Sequence, residues 1–527
     1  LFDAINLKLL CSAAVLLGSA GAGIPAVAQP EIPDPSGVTV LEVVERMLAL
    51  DPNIALEATR VEGSRGAWMV EASRFDTLLS SGVTGAKDRE PTSEVDSTET
   101  DRLNTSFGAT RELRSGLSLE PSVTLSRVDD GEGEPVNVGT IAFSLRQPLL
   151  RDRGREVVAA GQRSAERRFL AADLDLSHRI SERVRAVTSQ YWQVVAAWHN
   201  LQILRTTEAS ARAFLDSNRR LVAADARPEA ALVLLEADLA DKESASLAGE
   251  QALFEARRNL ALEIGLAPGE MNDLPLPSEP LPDGAGAPVP AQEKAPRFIA
   301  AALERRADLQ AAQQRLESDR ILLRAADNAL RPRLDLVLTP SWTGLVEGSE
   351  LGALLSSGFD HVPGLSSSLG LAFSFPPTNR AARGARVQTA AALKASELTV
   401  ELFEREIGAT VPIALHAVRQ STLQLERAAR AAELFERAVV NEEKKLQAGR
   451  STLIDVINQR DRLTAARQTL VAARLDLALA LLDLRFETGT LLTPPPTPTG
   501  PPAGPEIPLG GYRVRREDLT TVPVLDR

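Results

Sequence analysis

Histidine, cysteine and closely spaced carboxylates are the side chains most often recruited for chemistry near neutral pH. This chain of 527 residues offers few of them in useful spacing. Its four histidines, His178, His199, His361 and His416, are scattered and form no HExxH or other metal-ligand pattern. There is no phosphate-cradling glycine loop and no nucleophile elbow. Most acidic residues fall in helical stretches beside arginines, the pattern of solvated faces and surface ion pairs. The reading at this level is negative: no catalytic residues, no metal, no cofactor, not an enzyme. A formal charge of −12 with no basic face also argues against a nucleic-acid binder. Function must then lie in the architecture.

The N-terminus carries an apolar run from Leu7 to Leu17, containing the single cysteine, Cys11, and small residues follow it. Ala26-Val27-Ala28 before Gln29 is a small-x-small cleavage signature, so residues 1–28 read as a secretory signal peptide. No later segment has the ~20 apolar residues of a membrane helix. If the protein spans a membrane, it does so with strands closed into a barrel.

The rest of the chain looks duplicated. Met47-Leu48 followed by Asn53-Ile54 matches Ala302-Leu303 followed by Asp308-Leu309. Ala142-Phe143-Ser144-Leu145 matches Ala372-Phe373-Ser374-Phe375. Glu263-Ile264-Gly265-Leu266 matches Glu487-Thr488-Gly489-Thr490. This gives a first helix–strand–helix repeat over 29–267, a Pro/Gly-rich linker over 268–296, a second repeat over 297–492 and a Pro-rich tail over 493–527. From about 155 to 224 there is no proline and one glycine, enough for ~100 Å of helix. A matching stretch from 385 to 448 contains Gly408 and Pro412, where a kink is expected.

The last helix of the second half has Val456, Leu463, Leu470, Leu477 and Leu484 at heptad spacing. The first half has Leu232, Leu239, Ser246, Leu253 and Leu260. Heptads imply coiled-coil packing, and breaks at Ala224–Pro228 and Gln447–Ser451 make each long–short helix pair an antiparallel hairpin. Strand segments alternate: Ile141, Phe143, Leu145; Leu334, Leu336, Leu338; Leu369, Leu371, Phe373, Phe375, each with small or polar residues between. A barrel wall between lipid and water requires this pattern. Two further segments, Ser106–Arg111 and Gly116–Arg127, read as an extra hairpin, either in the barrel or outside it.

These features together resemble the TolC family of outer-membrane efflux and secretion ducts, over about Val40 to Leu492. The sharpest pieces are Arg305-Arg306-Ala307-Asp308-Leu309-Gln310, Leu330-Arg331-Pro332-Arg333-Leu334, Gln147-Pro148-Leu149-Leu150, and the run from Ala448 through Asp455 to Asn458. The resemblance implies a mainly α fold with a membrane β-barrel: a homotrimer in which each protomer gives four strands to a shared barrel, continued by a periplasmic α-helical coiled-coil barrel. It implies an outer-membrane location and outer-membrane lipid around the barrel. It also implies a periplasmic adaptor (membrane fusion protein) and an inner-membrane pump of RND, ABC or MFS type. Asp455 matches the tip position where the family places an acidic ring at the constriction, and Asn458 stands where the prototype has a second acid. Gly449, Arg450, Ser451 and Thr452, with Asp225 and Arg227 of the first tip, match the adaptor-docking region. The first tip departs from the family pattern, with Asp225 at the glycine position. The function implied is a passive, gated exit duct of a tripartite efflux pump or type I secretion system. The alternative is an exported periplasmic coiled-coil structural or adhesion protein without a pore, which would have no use for the strand blocks.

Overall fold

A computed structural model of the chain describes residues 37–91, 97–131, 133–225, 227–282 and 295–492, with 514, 521 and 523. The signal-peptide segment, most of the linker and nearly all of the tail lie outside the described residues.

The first half opens with α1 (Val40–Leu50), started by a reciprocal cap. The Thr39 hydroxyl accepts from the Glu42 amide at 3.3 Å, and the Glu42 carboxylate accepts from the Thr39 amide at 2.9 Å. Asp51 ends α1 and caps α2 (Pro52–Ser73), accepting from the Asn53 amide at 2.8 Å, with Pro52 at the first helical position. Four strands follow: β1 (Leu78–Pro91), β2 (Ser97–Glu112), β3 (Ser118–Asp129) and β4 (Val136–Pro148). Then come α3 (Arg155–Val158), α4 (Ala160–Ala223) and α5 (Ala230–Ile264). The second half gives α6 (Ala295–Arg305), α7 (Ala307–Ala329), β5 (Arg333–Glu347), the short α8 (Leu351–Ser356), β6 (Leu365–Ser374), α9 (Arg380–Gln447) and α10 (Leu453–Glu487).

With 64 and 68 residues, α4 and α9 are about 96 and 102 Å long at 1.5 Å per residue. α9 runs unbroken through Pro412, which costs it one intrahelical donor. α4 packs on α5 and α9 on α10, so each long–short pair is a hairpin. On the heptad row Val456, Leu477 and Leu484 are buried and Leu463 and Leu470 half-buried.

The main core lies midway along the helices. There Tyr191 and Trp192 of α4 are buried against Val40, Val43 and Met47 of α1. The Tyr191 hydroxyl donates to the Val38 carbonyl at 3.1 Å. A second core joins Phe298 of α6, Ile407, Val411 and Leu415 of α9, and Leu481 and Leu484 of α10.

The duplication is physical at this level. In the first half Arg183 pairs with Asp51 and, at 2.7 Å, with Glu263. In the second half Arg306 pairs with Asp308 and Glu487, both at 2.7 Å. The corresponding glycines, Gly265 and Gly489, have φ of +86° and +65°. An added Cβ would lie 3.0 Å from the Leu50 carbonyl oxygen or 3.0 Å from the Arg305–Arg306 backbone. Each closes its helix hairpin against the break between the two preceding short helices.

The six strands form one sheet in the order β1-β2-β3-β4-β5-β6, every pair antiparallel. The sheet has two strands more than the four per protomer that the resemblance implies for the shared barrel. The extra hairpin is β2–β3, paired into the sheet on both sides, and β1 is a strand the sequence reading did not single out. Pairing lapses at the level of Pro121, between Gly108↔Ser122 and Arg111↔Leu119. It lapses again at Pro340, between Ala142↔Ser341 and Leu145↔Leu338. A proline supplies no amide donor to the ladder at either place.

Candidate functional site

Strand alternation sorts the sheet's side chains onto two faces. Directly paired residues share a face, so the register settles which. One face carries Leu79, Val83, Leu103, Phe107, Leu119, Val123, Leu125, Ile141, Phe143, Leu145, Leu338, Trp342, Leu369, Leu371 and Phe373. The apolar sets read from the sequence on β4, β5 and β6 all fall here. Over half are exposed, with Leu79 at 77% and Phe373 at 68%, whereas Leu125 is buried. The other face, apart from Leu78, Leu345 and a few valines, is small and polar: Ser80, Thr84, Asn104, Ser106, Ser122, Thr124, Thr140, Ser144, Thr343, Ser366 and Ser368. Thr140 and Thr343 touch across it at 3.2 Å.

A sheet with its large apolar residues exposed on one face and hydroxyls on the other cannot be half of a soluble core. It suits a wall between lipid and water. The apolar band ends in charge. Lys87 stands opposite Asp101, and Arg89 opposite Glu99 at 2.8 Å, at the far end of β1 and β2. The β5–β6 connection lies against the apolar face. Gly139 and Gly344 make room for it, since a Cβ on Gly139 would overlap the Gly358 backbone.

At the opposite end of the molecule are the hairpin tips. Gly449 has φ +70° and ends α9, with the Arg450 amide donating to the Lys445 carbonyl at 2.8 Å. Asp225 takes the corresponding left-handed conformation in the first tip, φ +55°, without glycine's freedom. Ser451, Thr452 and Asp455 come together. Thr452 is the N-cap of α10, and its hydroxyl donates to the Asp455 carboxylate at 2.6 Å, its amide at 3.1 Å. Asp455 is thus the acidic half of a capping box. These bonds from Thr452 hold its carboxylate pKa below the usual range although it is exposed. The Ser451 hydroxyl donates to Glu442 at 2.5 Å, and this bond, with Lys445 beside it, lowers the Glu442 pKa. Arg450, Thr452 and Asn458 are exposed. Arg227 donates to Asn218, which is buried and itself donates to the Phe214 carbonyl at 2.8 Å.

The two hairpins are joined slightly above the tips, through residues the sequence reading missed. Leu215 and Leu235 of the first hairpin pack with Ile457 of the second. Lys242 on α5 reaches Asp461 on α10 at 2.7 Å, and Asp238 at 3.4 Å. Burial alone would lower the Lys242 pKa. Its bonds to Asp461 and Asp241, with the charge of Asp238, outweigh that and raise it. Arg460 bonds Glu443 at 2.6 Å and lies over the Phe214 ring, 4.4 Å from its centroid. Thr207 and Thr464 meet at 3.1 Å. Heptad spacing could have found the apolar members. The ion pair spans two hairpins and leaves no local signal.

Among the described residues no group of three or more potential ligands could hold a metal, and no helix is long and apolar enough to cross a membrane.

A one-faced apolar sheet set end to end with helices about 100 Å long defines a class, the outer-membrane ducts. Comparison agrees. Residues 298–490 match the family model described as outer membrane efflux protein. Those residues are thus similar to an outer membrane efflux protein domain, in line with the family the sequence resembles. No curated protein sequence matches the chain. Among solved structures, it is similar to the Campylobacter jejuni CmeC outer membrane channel (TM-score 0.60, 14% identity, 86% of this chain and 85% of that one). The Vibrio cholerae outer membrane protein VceC matches with TM-score 0.59 and 15% identity over 85% and 96% of the two chains. The open state of the Neisseria gonorrhoeae MtrE outer membrane channel matches with TM-score 0.60 and 17% identity over 85% and 88%. At these identities the structural matches establish the fold.

Proposed function

We propose that the protein is the outer-membrane channel component of a tripartite efflux pump or a type I secretion system. In this reading it is exported by the signal in residues 1–28 and assembles as a homotrimer. Its sheet crosses the outer membrane, and its helices form a tunnel in the periplasm. The observation that carries the reading is the sheet: exposed and apolar on one face, hydroxyl-rich on the other, and continuous with helices far too long for a compact domain.

A duct of this kind performs no covalent chemistry. Hydroxyls on the inner face give a passing solute water-like hydrogen bonding without tight binding. Energy comes from an inner-membrane pump of RND, ABC or MFS type, coupled through a periplasmic adaptor that docks on the tip residues Gly449 to Thr452, Asp225 and Arg227, of which Ser451 and Arg227 are half-buried and the rest exposed. The gate is the narrowing of the tips. Three copies of Asp455 bring three carboxylates, whose titrations are coupled by their mutual repulsion and which, when ionised, favour cations and repel anions. The Lys242–Asp461 pair and the Arg460–Phe214 contact keep the two hairpins of one protomer together, and adaptor contact opens the tip by separating them.

Fractionation of the expressing cells tests this. The expected result is an outer-membrane protein running on gels as a heat-modifiable trimer, whose deletion sensitises cells to exported compounds or abolishes secretion. A soluble periplasmic monomer would overturn the reading.

A further inference from the structure

We infer that all six strands belong to the membrane wall. On this inference the β6 edge of one copy pairs with the β1 edge of the next, and three copies close an 18-stranded barrel. The inference rests on the duct reading and deepens it.

Four observations carry it. The β2–β3 hairpin is an integral part of the sheet, hydrogen-bonded to β1 on one side and β4 on the other. Its turn is tied down at the helical end. Glu112 is held in a two-pronged bond by Arg74 at 2.8 and 2.9 Å, and the Gly154 amide donates to the Ser115 carbonyl at 3.1 Å. Gly116 fits there with φ +95° because a Cβ would strike the Asp152 carbonyl oxygen, 2.5 Å away. A hairpin pinned this way is held in the wall, not projected from it.

Second, β2 and β3 carry the same face chemistry as the rest, with Leu103, Phe107, Leu119, Val123 and Leu125 on the apolar side and Asn104, Ser106, Ser122 and Thr124 on the polar side. Third, the strand count is even, so β6 runs opposite to β1 and can pair antiparallel with the β1 edge of a second copy. At 14 and 10 residues both edge strands reach the ~9–11 residues a tilted membrane strand needs.

Fourth, the two layers match in width. Helices α2, α4, α7 and α9 pack in that order, the same order in which they join β1, β4, β5 and β6. Four helices spaced 8–10 Å apart occupy roughly 32–40 Å of circumference. Six strands spaced ~4.8 Å apart and tilted ~40° occupy about 38 Å. An 18-stranded barrel of this tilt is about 36 Å across between backbones.

Electron cryo-microscopy of the purified full-length oligomer in lipid nanodiscs counts the strands directly. Eighteen strands, with β6 beside the next copy's β1, are expected. A closed trimer of 12 strands with β2–β3 off the wall would overturn the inference and leave the duct reading standing. The absence of any closed oligomer would overturn the duct reading itself. A paired substitution gives an independent readout. Phe107→Arg, on the apolar face, is expected to abolish most of the heat-modifiable trimer, while Ser106→Arg, its neighbour on the polar face, keeps it and lowers cation selectivity. Equal tolerance of both, or equal loss, would contradict a wall position for β2.

Discussion

The two halves of the chain agree at the middle of the helices and disagree at the tips. At the middle, one arginine bridges two carboxylates in each half: Arg183 with Asp51 and Glu263, Arg306 with Asp308 and Glu487. A left-handed glycine closes each hairpin at the same place, and the large buried side chains gather around it. At the tips, Gly449 corresponds to Asp225, and the second half's Thr452–Asp455 capping box has no counterpart in the first, where no side chain caps α5. Burial separates the regions as well: Arg306 and Asp308 are almost enclosed, whereas Asp455 and Gly449 are open to solvent. The middle is a belt that fixes the helices, and the tip is a surface held by local bonds that can be exchanged.

Arg306→Ala should have the largest effect, because it leaves Asp308 and Glu487 uncompensated in a buried site. A loss of about 3–5 kcal/mol is expected, read as a lowered melting temperature of the trimer. Arg183→Ala should fall in the same direction but less, since Glu263 is more exposed. Equal, negligible effects would dissolve the distinction between belt and tip.

Acid titration should expose the belt next. His199 is buried on α4, and burial, helped by Arg474, lowers its pKa from 6.5 to about 4. In the unfolded chain it gains a proton near pH 6.5. Stability is therefore full above that pH and is lost as pH falls towards 4, by about 3 kcal/mol in all. His199→Gln should flatten this part of the stability–pH curve. An unchanged slope would show that the imidazole is not held neutral.

The glycines compare the two regions directly. Gly489→Ala and Gly265→Ala meet both an unfavourable backbone and a neighbouring chain, for a loss of about 2–3 kcal/mol. Gly449→Ala has the same backbone sign but open space, for about 1 kcal/mol. Thermal melts of the three variants would rank them.

Much of this was legible in the sequence, and the part that was not has a physical reason. The long helices α4 and α9 follow from the lack of breakers, and the hairpins from the heptads. The apolar faces of β4, β5 and β6 follow from strict alternation. β1 escaped because its alternation is diluted by Ser81 and Gly85 on the apolar face and ends in the charged pairs of Lys87 and Arg89. The Arg183 bridge, the Arg306–Glu487 arm and the Lys242–Asp461 pair join residues from different helices, so nothing local announces them; only Arg306–Asp308 is local. Thr452-x-x-Asp455 was readable as a capping box. Its acid has a local structural role whatever it contributes to a constriction.

The smallest effects on stability should be at the tip. Lys242→Ala breaks the link between the hairpins and leaves the largely buried Asp238 uncompensated, yet should raise channel conductance. Asp455→Ala should weaken cation preference, whereas Thr452→Ala removes the cap and keeps the charge, so it should leave selectivity unchanged. Matching changes in both would reduce Asp455 to a capping residue.

The central claim, a gated duct through the outer membrane, is tested most directly by single-channel recording of the purified trimer in planar bilayers. Discrete, cation-preferring steps are expected from the intact protein, with larger steps from Lys242→Ala. A correctly folded, membrane-inserted trimer that passes no current in either form would contradict the account.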